Sequence, residues 1–267
     1  FILNNRPVKD KHLSFALKRA YSDVMPPGRF PAYCLYLFID PECVDVNVLG
    51  SQNVARVAID YGVDSVIGIS TDKTAPPVNN TYGMSKAIME RIFCSLNNVN
   101  GTKFTNVRFG NIAWSTGSVF PLWKRMMEDN GLIESTGPNM KRFFFSVSDA
   151  ADLVIRNLQN IHTTRGKILS MKMKASKISN LLNTWQKLYG TKWIEIDRRL
   201  GESDHESMIG SIELKYTAEI ILDERDHFLT SFRDPLTEHA QDVFTTEFAE
   251  HHSEEEMIDL IKLGTLS

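Results

Sequence analysis

Tyr82 and Lys86 have the residue types and the spacing of an acid/base pair. In a helix, residues i and i+4 lie on the same face, one turn apart. An ammonium group close to a phenol lowers the pKa of the phenol, because the positive charge favours the phenolate. Such a pair can move a proton on a substrate hydroxyl during hydride transfer. The spacing alone also arises by chance, so its meaning depends on the residues around it.

A second candidate pair, Asp72 and Lys73, follows a buried-type apolar segment at residues 65–70. Open parallel sheets bind their ligands where the strands end. An acid and a base side by side at that point could therefore exchange protons with a ligand. A solvated turn is the alternative for an isolated Asp-Lys pair, but the closeness of Tyr82 and Lys86 favours the chemical interpretation.

The elements that must position these residues alternate between strand and helix patterns, which is typical of an α/β fold with a parallel sheet. We predict a strand over 65–70, a loop rich in Pro and Asn over 74–80 and a strand over 103–109. The predicted helices cover residues 47–61, 82–96, 119–129, 148–160 and 176–189, and short strands lie near 132–136, 167–170 and 193–196.

Two regions do not follow this alternation. Residues 21–41 hold four prolines and show no regular period. The tail from about residue 218 is charged and has little apolar pattern before residue 257, so we expect it to wrap the surface or to be partly disordered.

Composition excludes several classes of function. The chain has 267 residues, a net charge of −3 and 42% hydrophobic residues, which fits a soluble protein with a real core and argues against nucleic acid or an anionic membrane as the main partner. The longest apolar run, residues 34–39, is too short to span a bilayer. Three cysteines without paired spacing fit a reducing compartment, and no metal-ligand spacing occurs. We therefore expect a cytoplasmic protein without a metal.

Several strings in order along the chain carry a family resemblance. STDKTAPPVNNTYGMSKAIMER at 70–91 and VRFGNIAWSTGSVFPLW at 107–123 closely resemble the inverting UDP-N-acetylglucosamine 4,6-dehydratases. These are extended short-chain dehydrogenase/reductases, within a polysaccharide-biosynthesis group of NADP-dependent nucleotide-sugar dehydratases and epimerases. Shorter matches are NVLGSQNV at 47–54, MKRFFFS at 140–146 and RLGESDHE at 199–206.

The resemblance implies a Rossmann-like, doubly wound parallel sheet that lacks its first strands, with a small C-terminal substrate-binding lobe. It divides the chain into an incomplete NADP-binding domain at 1–130, a UDP-sugar lobe at 131–217 that is interleaved with it, and a tail at 218–267. NADP is the implied cofactor and a UDP-sugar the implied partner, and a homo-oligomer is compatible with the family.

The family mechanism is an oxidation, an elimination and a reduction. Carried onto matching positions, Tyr82 takes the proton of the sugar 4-hydroxyl with support from Lys86. Lys73 then removes the C5 proton, Asp72 protonates the departing 6-hydroxyl, and Thr71 hydrogen-bonds the reacting sugar. The resemblance further implies cofactor contacts at Asn47, Ser70, Tyr82, Lys86 and Phe109, and substrate contacts at Asn111, Arg142, Arg199 and Glu202. It also implies that the turn Arg108-Phe109-Gly110-Asn111 lines the cofactor and the substrate. A planar guanidinium suits a diphosphate, although a surface ion pair is the alternative for each arginine.

Three departures from the family pattern bear on activity. The family opens with a strand, a Gly-x-x-Gly-x-x-Gly loop and a helix that together bind the cofactor pyrophosphate, and this sequence has no such loop. Residues 6–18 resemble a later segment of the family, and residues 21–41 break the similarity in a way that suggests a frameshift. One extra residue lies between Lys73 and Tyr82.

Three functions are therefore weighed. An NADP-dependent UDP-sugar 4,6-dehydratase impaired by loss of the glycine-rich loop is the first, because elimination needs its own acid and base at Asp72 and Lys73. The second is a UDP-N-acetylglucosamine epimerase of the same group. A non-catalytic nucleotide-sugar-binding remnant is the third.

Overall fold

A mixed five-stranded sheet forms the centre of the fold in this computed structural model. The structure describes residues 42–198, 201–233 and 235–265, together with three short strands before them. The strands are β1 Ile2–Leu3, β2 Arg6–Pro7, β3 Tyr36–Leu37, β4 Ser65–Thr71, β5 Lys103–Phe109, β6 Asn111–Ile112, β7 Leu132–Thr136, β8 Lys141–Phe145, β9 Lys167–Met171, β10 Ala175–Lys177, β11 Lys192–Ile196, β12 Ser207–Ile209, β13 Thr217–Leu222, β14 Arg225–Ser231 and β15 Phe244–Thr245.

The helices lie mainly where the apolar periodicity predicts them. The α-helices are α1 Ser51–Asp60, α2 Thr81–Leu96, α3 Val119–Asn130, α4 Val147–Gln159, α5 Ile161–Thr164, α6 Ile178–Tyr189 and α7 Glu254–Lys262. A π-helical stretch, Glu42–Gly50, runs directly into α1, and short 3₁₀ turns cover Asp72–Thr74, Ser211–Tyr216 and Leu263–Thr265. Most of residues 21–41 lie outside the described part of the chain.

The central sheet has the strand order β13-β14-β9-β5-β4. β4, β5 and β9 are parallel, and β14 and β13 add to them in antiparallel orientation. Helices cover both faces. On one face, Ala55 of α1 and Phe93 of α2 pack with Phe104 of β5. On the other face, Leu153 of α4 packs with Val107 of β5. This arrangement confirms the prediction of a doubly wound, Rossmann-like parallel sheet.

β4 is an edge strand among the described residues, because it pairs only with β5. The register runs from Ser65 opposite Lys103 to Thr71 opposite Phe109. The strand is buried at its C-terminal end, yet the side chain of Ile69 is exposed.

A smaller unit packs beside the carboxyl end of the sheet. It comprises the parallel pair β7–β11, the three-stranded sheet β10-β8-β6 and helices α3, α6 and α7. Its core is aromatic, with Phe120, Trp123, Phe144 and Trp185 in mutual contact. The unit overlaps the lobe predicted at 131–217 but also takes in α3 and α7, which lie outside those bounds, and the predicted division into domains remains a prediction.

The prediction of a loose or disordered tail is wrong for the described residues after 217. β13 and β14 form a hairpin that completes the central sheet, and α7 buries Met257, Leu260 and Ile261 in the core of the lobe. The hairpin turns at Asp223 and Glu224, both with positive φ. A two-residue turn of that geometry normally has Gly after Asn or Asp, and Glu224 stands at the position of that Gly, so no turn was predicted here.

Candidate active site

The end of β4 and the start of α2 meet through the backbone of Lys73. Asn80 caps α2, because its side chain accepts a hydrogen bond of 2.7 Å from the amide of Gly83. A Cβ atom at Gly83 would lie 2.1 Å from the carbonyl oxygen of Lys73. Only glycine allows this approach, and so the residue between Tyr82 and Lys86 brings their helix against the strand end.

Asp72 and Lys73 form an ion pair at the end of β4. Lys73 Nζ lies 3.0 Å from Asp72 Oδ1, and the hydroxyl of Thr71 donates to the same oxygen at 3.0 Å. The Lys73 side chain is 24% exposed, whereas that of Asp72 is fully buried. Asp72 Oδ2 is buried and has no hydrogen-bond partner among the described residues. The pair is therefore reachable only through its lysine.

Two charged groups from the lobe extend this pair into a cluster. Glu206 Oε1 lies 3.7 Å from Lys73 Nζ and 3.5 Å from Arg142 Nε. Burial works to lower the pKa of Lys73, but attraction to Asp72 and Glu206 outweighs it and the pKa is raised. Burial raises the pKa of Glu206, helped by Asp72 and opposed by Lys73 and Arg142. In the protein without ligand, Lys73 is an ammonium.

One cavity of about 320 Å³ brings together Lys73 of the Asp72–Lys73 pair with both Tyr82 and Lys86. Its lining includes Thr71, Lys73, Tyr82, Lys86 and Phe109. The Tyr82 side chain is exposed at this cavity. The structure thus places the predicted general base of the oxidation beside the predicted base of the elimination. It keeps Asp72 out of the lining.

Lys86 makes a contact that the sequence did not predict. Its Nζ donates a 2.9 Å hydrogen bond to the carbonyl oxygen of Ile69 in the edge strand. Burial lowers the pKa of Lys86, and Glu90 partly offsets that effect. Lys86 therefore caps an edge carbonyl in this structure, while it also lines the cavity with Tyr82.

A second cavity, of about 260 Å³, lies in the lobe next to the first. Asn111, Gly117 and Ser118 line both cavities. Arg142 and Glu202 line the second cavity, where Glu202 accepts a 3.1 Å hydrogen bond from Thr136. The two cavities therefore adjoin, one in the lobe and the other at Lys73. This arrangement suits an elongated ligand with one reacting end.

The other predicted residues divide between the cavities and the interior. Asn111 lines both cavities and donates to the carbonyl of Phe143 at 2.9 Å. Ser70 borders the first cavity, yet its hydroxyl donates to Glu90 at 2.6 Å. Asn47 is buried and donates to Ser85 in the first turn of α2 at 3.0 Å, so it supports the helix rather than the cavity wall. Arg199 lies outside the described residues.

The sequence analysis missed Glu206 and misplaced Arg108. Glu206 ends the string at 199–206, and that match was the only available signal for it. Arg108 was expected near the ligands, in the turn that follows β5. It is instead fully buried between Glu90 and Glu213, at 2.8 Å from each.

The residues present fit one end of a nicotinamide cofactor. One wall of the first cavity is formed by the phenol of Tyr82, the amine of Lys86 and the apolar ring of Phe109. No glycine-rich loop for a pyrophosphate occurs in the sequence. Within the described part of the chain, no cluster of His, Cys, Asp or Glu could hold a metal ion, and no helix is long and apolar enough to cross a membrane.

Comparison with known proteins places these features in a family. The family model described as "Polysaccharide biosynthesis protein" matches residues 37–222. An inverting UDP-N-acetylglucosamine 4,6-dehydratase of Campylobacter jejuni is 35% identical over 216 residues, or 79% of this chain and 63% of that protein. A UDP-glucose 4-epimerase of Rickettsia felis is also 35% identical, over 66% of this chain and 52% of its own length.

Solved structures support the same fold. Pen from Bacillus thuringiensis superposes with a TM-score of 0.74 at 24% identity, over 98% of this chain and 76% of that one. DesIV, a dTDP-glucose 4,6-dehydratase from Streptomyces venezuelae described with NAD and TYD bound, gives a TM-score of 0.55 at 18% identity, over 65% and 61% of the two chains. At these identities the likeness shows the fold alone.

A second family model bears on the irregular N-terminal segment. The model described as "DNA mismatch repair protein, C-terminal domain" matches residues 1–52. Residues 6–18 and most of 21–41 therefore precede the polysaccharide match and fall within this other one. The frameshift suggested for residues 21–41 stays a prediction.

The chain spans between 52% and 63% of the length of the curated relatives it matches. Within that span, the strand-end Asp-Lys pair, the Tyr82–Lys86 helix and the lobe occur together in one fold. The chain belongs to the polysaccharide biosynthesis protein family of nucleotide-sugar dehydratases and epimerases.

Proposed function

We propose that this chain carries the reacting residues of an NADP-dependent UDP-sugar 4,6-dehydratase of the UDP-N-acetylglucosamine type, which serves the biosynthesis of a surface polysaccharide or glycan. The observation that carries the proposal is the position of the Asp72–Lys73 ion pair beside Tyr82 and Lys86 at one cavity. An oxidation needs only Tyr82 and Lys86. A separate acid and base next to them have a task only when a second bond is also broken.

Proton transfers can be assigned to the chain's own groups. Tyr82 takes the proton of the 4-hydroxyl, and the ammonium of Lys86 stabilises the resulting phenolate. The 4-keto group acidifies the hydrogen on C5, which Lys73 removes once it is neutral. Thr71 hydrogen-bonds the reacting sugar. When bound, NADP supplies the oxidising and then the reducing power of the cycle.

The Asp72–Lys73 pair holds a single proton that can serve both of its tasks. In the resting protein that proton is on Lys73, because the lysine lies between two carboxylates. Transfer along the 3.0 Å hydrogen bond to Asp72 produces a neutral amine and a carboxylic acid. The amine is then the base for C5 and the acid can protonate the departing 6-hydroxyl. Because Asp72 does not line the cavity, its acid role needs a movement that brings the carboxyl to the ligand.

The lobe is proposed to hold the nucleotide. Arg142 and Glu202 line the second cavity, and a guanidinium suits a diphosphate while a carboxylate suits ribose hydroxyls. Arg199 is proposed for the same task from the family resemblance alone. A homo-oligomer, a cytoplasmic location and domain boundaries near residues 130 and 217 belong to the same proposal.

A UDP-sugar 4-epimerase is the second candidate, and epimerases are found at the same 35% identity as the dehydratases. An epimerase returns the hydride to C4 and has no elimination step, so it gives no task to Asp72 and Lys73. A nucleotide-sugar-binding remnant is the third candidate. UDP binding without NADP binding would support it.

Mass spectrometry of the product separates these candidates. The chain, joined to the N-terminal strand, glycine-rich loop and helix of a family member so that NADP can bind, is incubated with UDP-N-acetylglucosamine and excess NADP. A dehydratase then yields a sugar nucleotide lighter by one water. An epimerase yields a product of unchanged mass. Lys73→Met should abolish the loss of water, whereas Lys172→Met, which removes a lysine paired with Glu219 outside the site, should not.

A further inference from the structure

Glu206 has a fixed backbone next to the ion pair of Asp72 and Lys73. Its amide donates a 3.1 Å hydrogen bond to Thr246 Oγ1, and the amide of Thr246 donates a 2.9 Å hydrogen bond to the Glu206 carbonyl. Thr246 is fully buried and belongs to the tail that the sequence analysis expected to be loose. This reciprocal pair fixes the point from which the Glu206 side chain extends.

The side chain of Glu206 joins the two halves of the site. One oxygen, Oε1, lies 3.7 Å from Lys73 Nζ and 3.5 Å from Arg142 Nε. Its side chain is 12% exposed, so solvent screens these contacts less than it would at the surface. The ammonium of Lys73 therefore lies between two carboxylates, that of Asp72 at the end of β4 and that of Glu206 on the side of the lobe.

We propose that Glu206 is a positioning residue of this site, which fixes the Lys73 side chain between sheet and lobe and holds it as an ammonium in the free protein. The inference deepens the proposed function and rests on it for the meaning of Lys73 as a base. Glu206 does not line either cavity and needs no contact with the sugar.

The charges around Lys73 determine the expected effect. Asp72 and Glu206 favour the ammonium, whereas Arg142 opposes it. Glu206 itself faces Lys73 and Arg142, with Asp72 as a further negative charge. Replacing Glu206 with Gln keeps the shape and removes one negative charge. Loss of this opposite charge should lower the pKa of Lys73, because the ammonium loses one of the carboxylates that stabilise it.

Glu206 therefore influences how readily Lys73 becomes a base. The proton must move from Lys73 Nζ to Asp72 Oδ1 before the amine can act. A second carboxylate beside the ammonium makes that transfer less favourable. The carboxylate of Glu206 thereby suppresses proton transfer from Lys73 to Asp72 when no sugar is bound. Loss of Glu206 should make this transfer easier and should leave the Lys73 side chain less well fixed.

The test is competitive acetylation of the full chain without ligand, over a series of pH values, with the extent at each lysine read by mass spectrometry. Only the neutral amine reacts with acetic anhydride. In Glu206→Gln the midpoint for Lys73 should fall by about one pH unit, which makes acetylation about tenfold faster at a fixed pH below the midpoint. The midpoint for Lys172 should stay unchanged.

Glu219→Gln is the matched control, because Glu219 lies 2.7 Å from Lys172 on the surface. It should lower the midpoint of Lys172 and leave that of Lys73 in place. An unchanged Lys73 midpoint in Glu206→Gln, beside a shifted Lys172 midpoint in Glu219→Gln, overturns the proposal.

Arg142→Gln gives an independent result of opposite sign, which decides the question if Glu206→Gln does not fold. Without the guanidinium, Glu206 interacts with Lys73 and no longer with Arg142, and the positive charge that opposes the Lys73 ammonium is gone. The pH midpoint for acetylation of Lys73 should therefore rise. A fall or no change contradicts the proposal. Because no turnover is needed, a missing dehydratase product would sink the proposed function and leave this result standing.

Discussion

Arg108 and Glu90 form a two-point ion pair in the interior of the protein. Arg108 Nε lies 2.8 Å from Glu90 Oε1, and Nη2 lies 2.9 Å from Oε2. Glu213 binds the other side of the guanidinium, with two hydrogen bonds of 2.9 and 2.8 Å. All three side chains are almost completely buried. These charged groups are buried away from water, so they are stabilised by one another rather than by hydration.

This pair also holds the strand end that carries the candidate site. Glu90 Oε1 accepts hydrogen bonds from Ser70 at 2.6 Å and from Thr74 at 2.9 Å. Those two residues lie on either side of Asp72 and Lys73 in the sequence. The buried network therefore fixes the backbone from which the proposed acid and base extend.

Replacing Arg108 with Met should destabilise the protein strongly. The substitution leaves two buried carboxylates without their partner, which costs about 3–5 kcal/mol in the free energy of unfolding. Urea unfolding measures the change. Arg156→Met is the matched control, because its partner Asp223 is exposed, and it should cost less than about 1 kcal/mol. Equal losses in the two variants would contradict the role given to the network.

The folded tail provides a second stability prediction. Ile261 in α7 is fully buried in the lobe core with Trp185, whereas Leu263 just beyond it is 40% exposed. Ile261→Ala should therefore cost about 2–5 kcal/mol, and Leu263→Ala less than about 1 kcal/mol. Both are read from urea unfolding. A small effect of Ile261→Ala would mean that the tail does not belong to the core.

Stability should fall at alkaline pH in a way that depends on Cys94. Burial raises the pKa of this thiol from 9.0 to about 12. Above pH 9 the unfolded chain loses the thiol proton while the folded protein keeps it, so the unfolded state is favoured by about 1.4 kcal/mol for each pH unit. The effect is absent below pH 9.

Unfolding free energies at pH 7 and pH 10.5 test this directly. Cys94→Ala should be less stable than the unaltered protein at pH 7, because packing is lost, yet it should lose less stability between the two pH values. The same loss in both proteins would refute the assignment of that dependence to Cys94.

Much of the fold could be predicted, because its signals are local. The strands predicted at 65–70 and 103–109 are β4 and β5 of the structure. The helical pattern that carries Tyr82 and Lys86 needs only neighbours in sequence, and the structure has a helix there. The turn at Asp223 and Glu224 could not be predicted, since Asp adopts a positive φ more readily than most residues but Glu does not.

The site was predicted in part for the same reason. Tyr82, Lys86 and Lys73 are close in sequence and share one cavity. Glu206 reaches Lys73 from 133 positions further along the chain, and Thr246 supports it from the tail. Such contacts depend on the packing of the lobe on the sheet, which no local pattern encodes.

Ligand binding should separate the two halves of the site. This polypeptide, expressed alone, should bind NADP weakly, because it has no glycine-rich loop for the pyrophosphate. UDP should bind more tightly than NADP through the cavity that contains Arg142. Isothermal titration calorimetry measures both. Arg142→Met should weaken UDP binding and Arg156→Met should not. Tight, stoichiometric NADP binding would contradict the first expectation.

The central claim is that the residues from Ser70 to Lys86 catalyse a dehydration when a complete cofactor site is supplied. The most direct measurement is product mass spectrometry on this chain joined to the N-terminal strand, glycine-rich loop and helix of an inverting UDP-N-acetylglucosamine 4,6-dehydratase. With UDP-N-acetylglucosamine and NADP, the product should be lighter by one water, and Lys73→Met in the same protein should give none. An NADP-binding hybrid whose product has the mass of the substrate would contradict the claim.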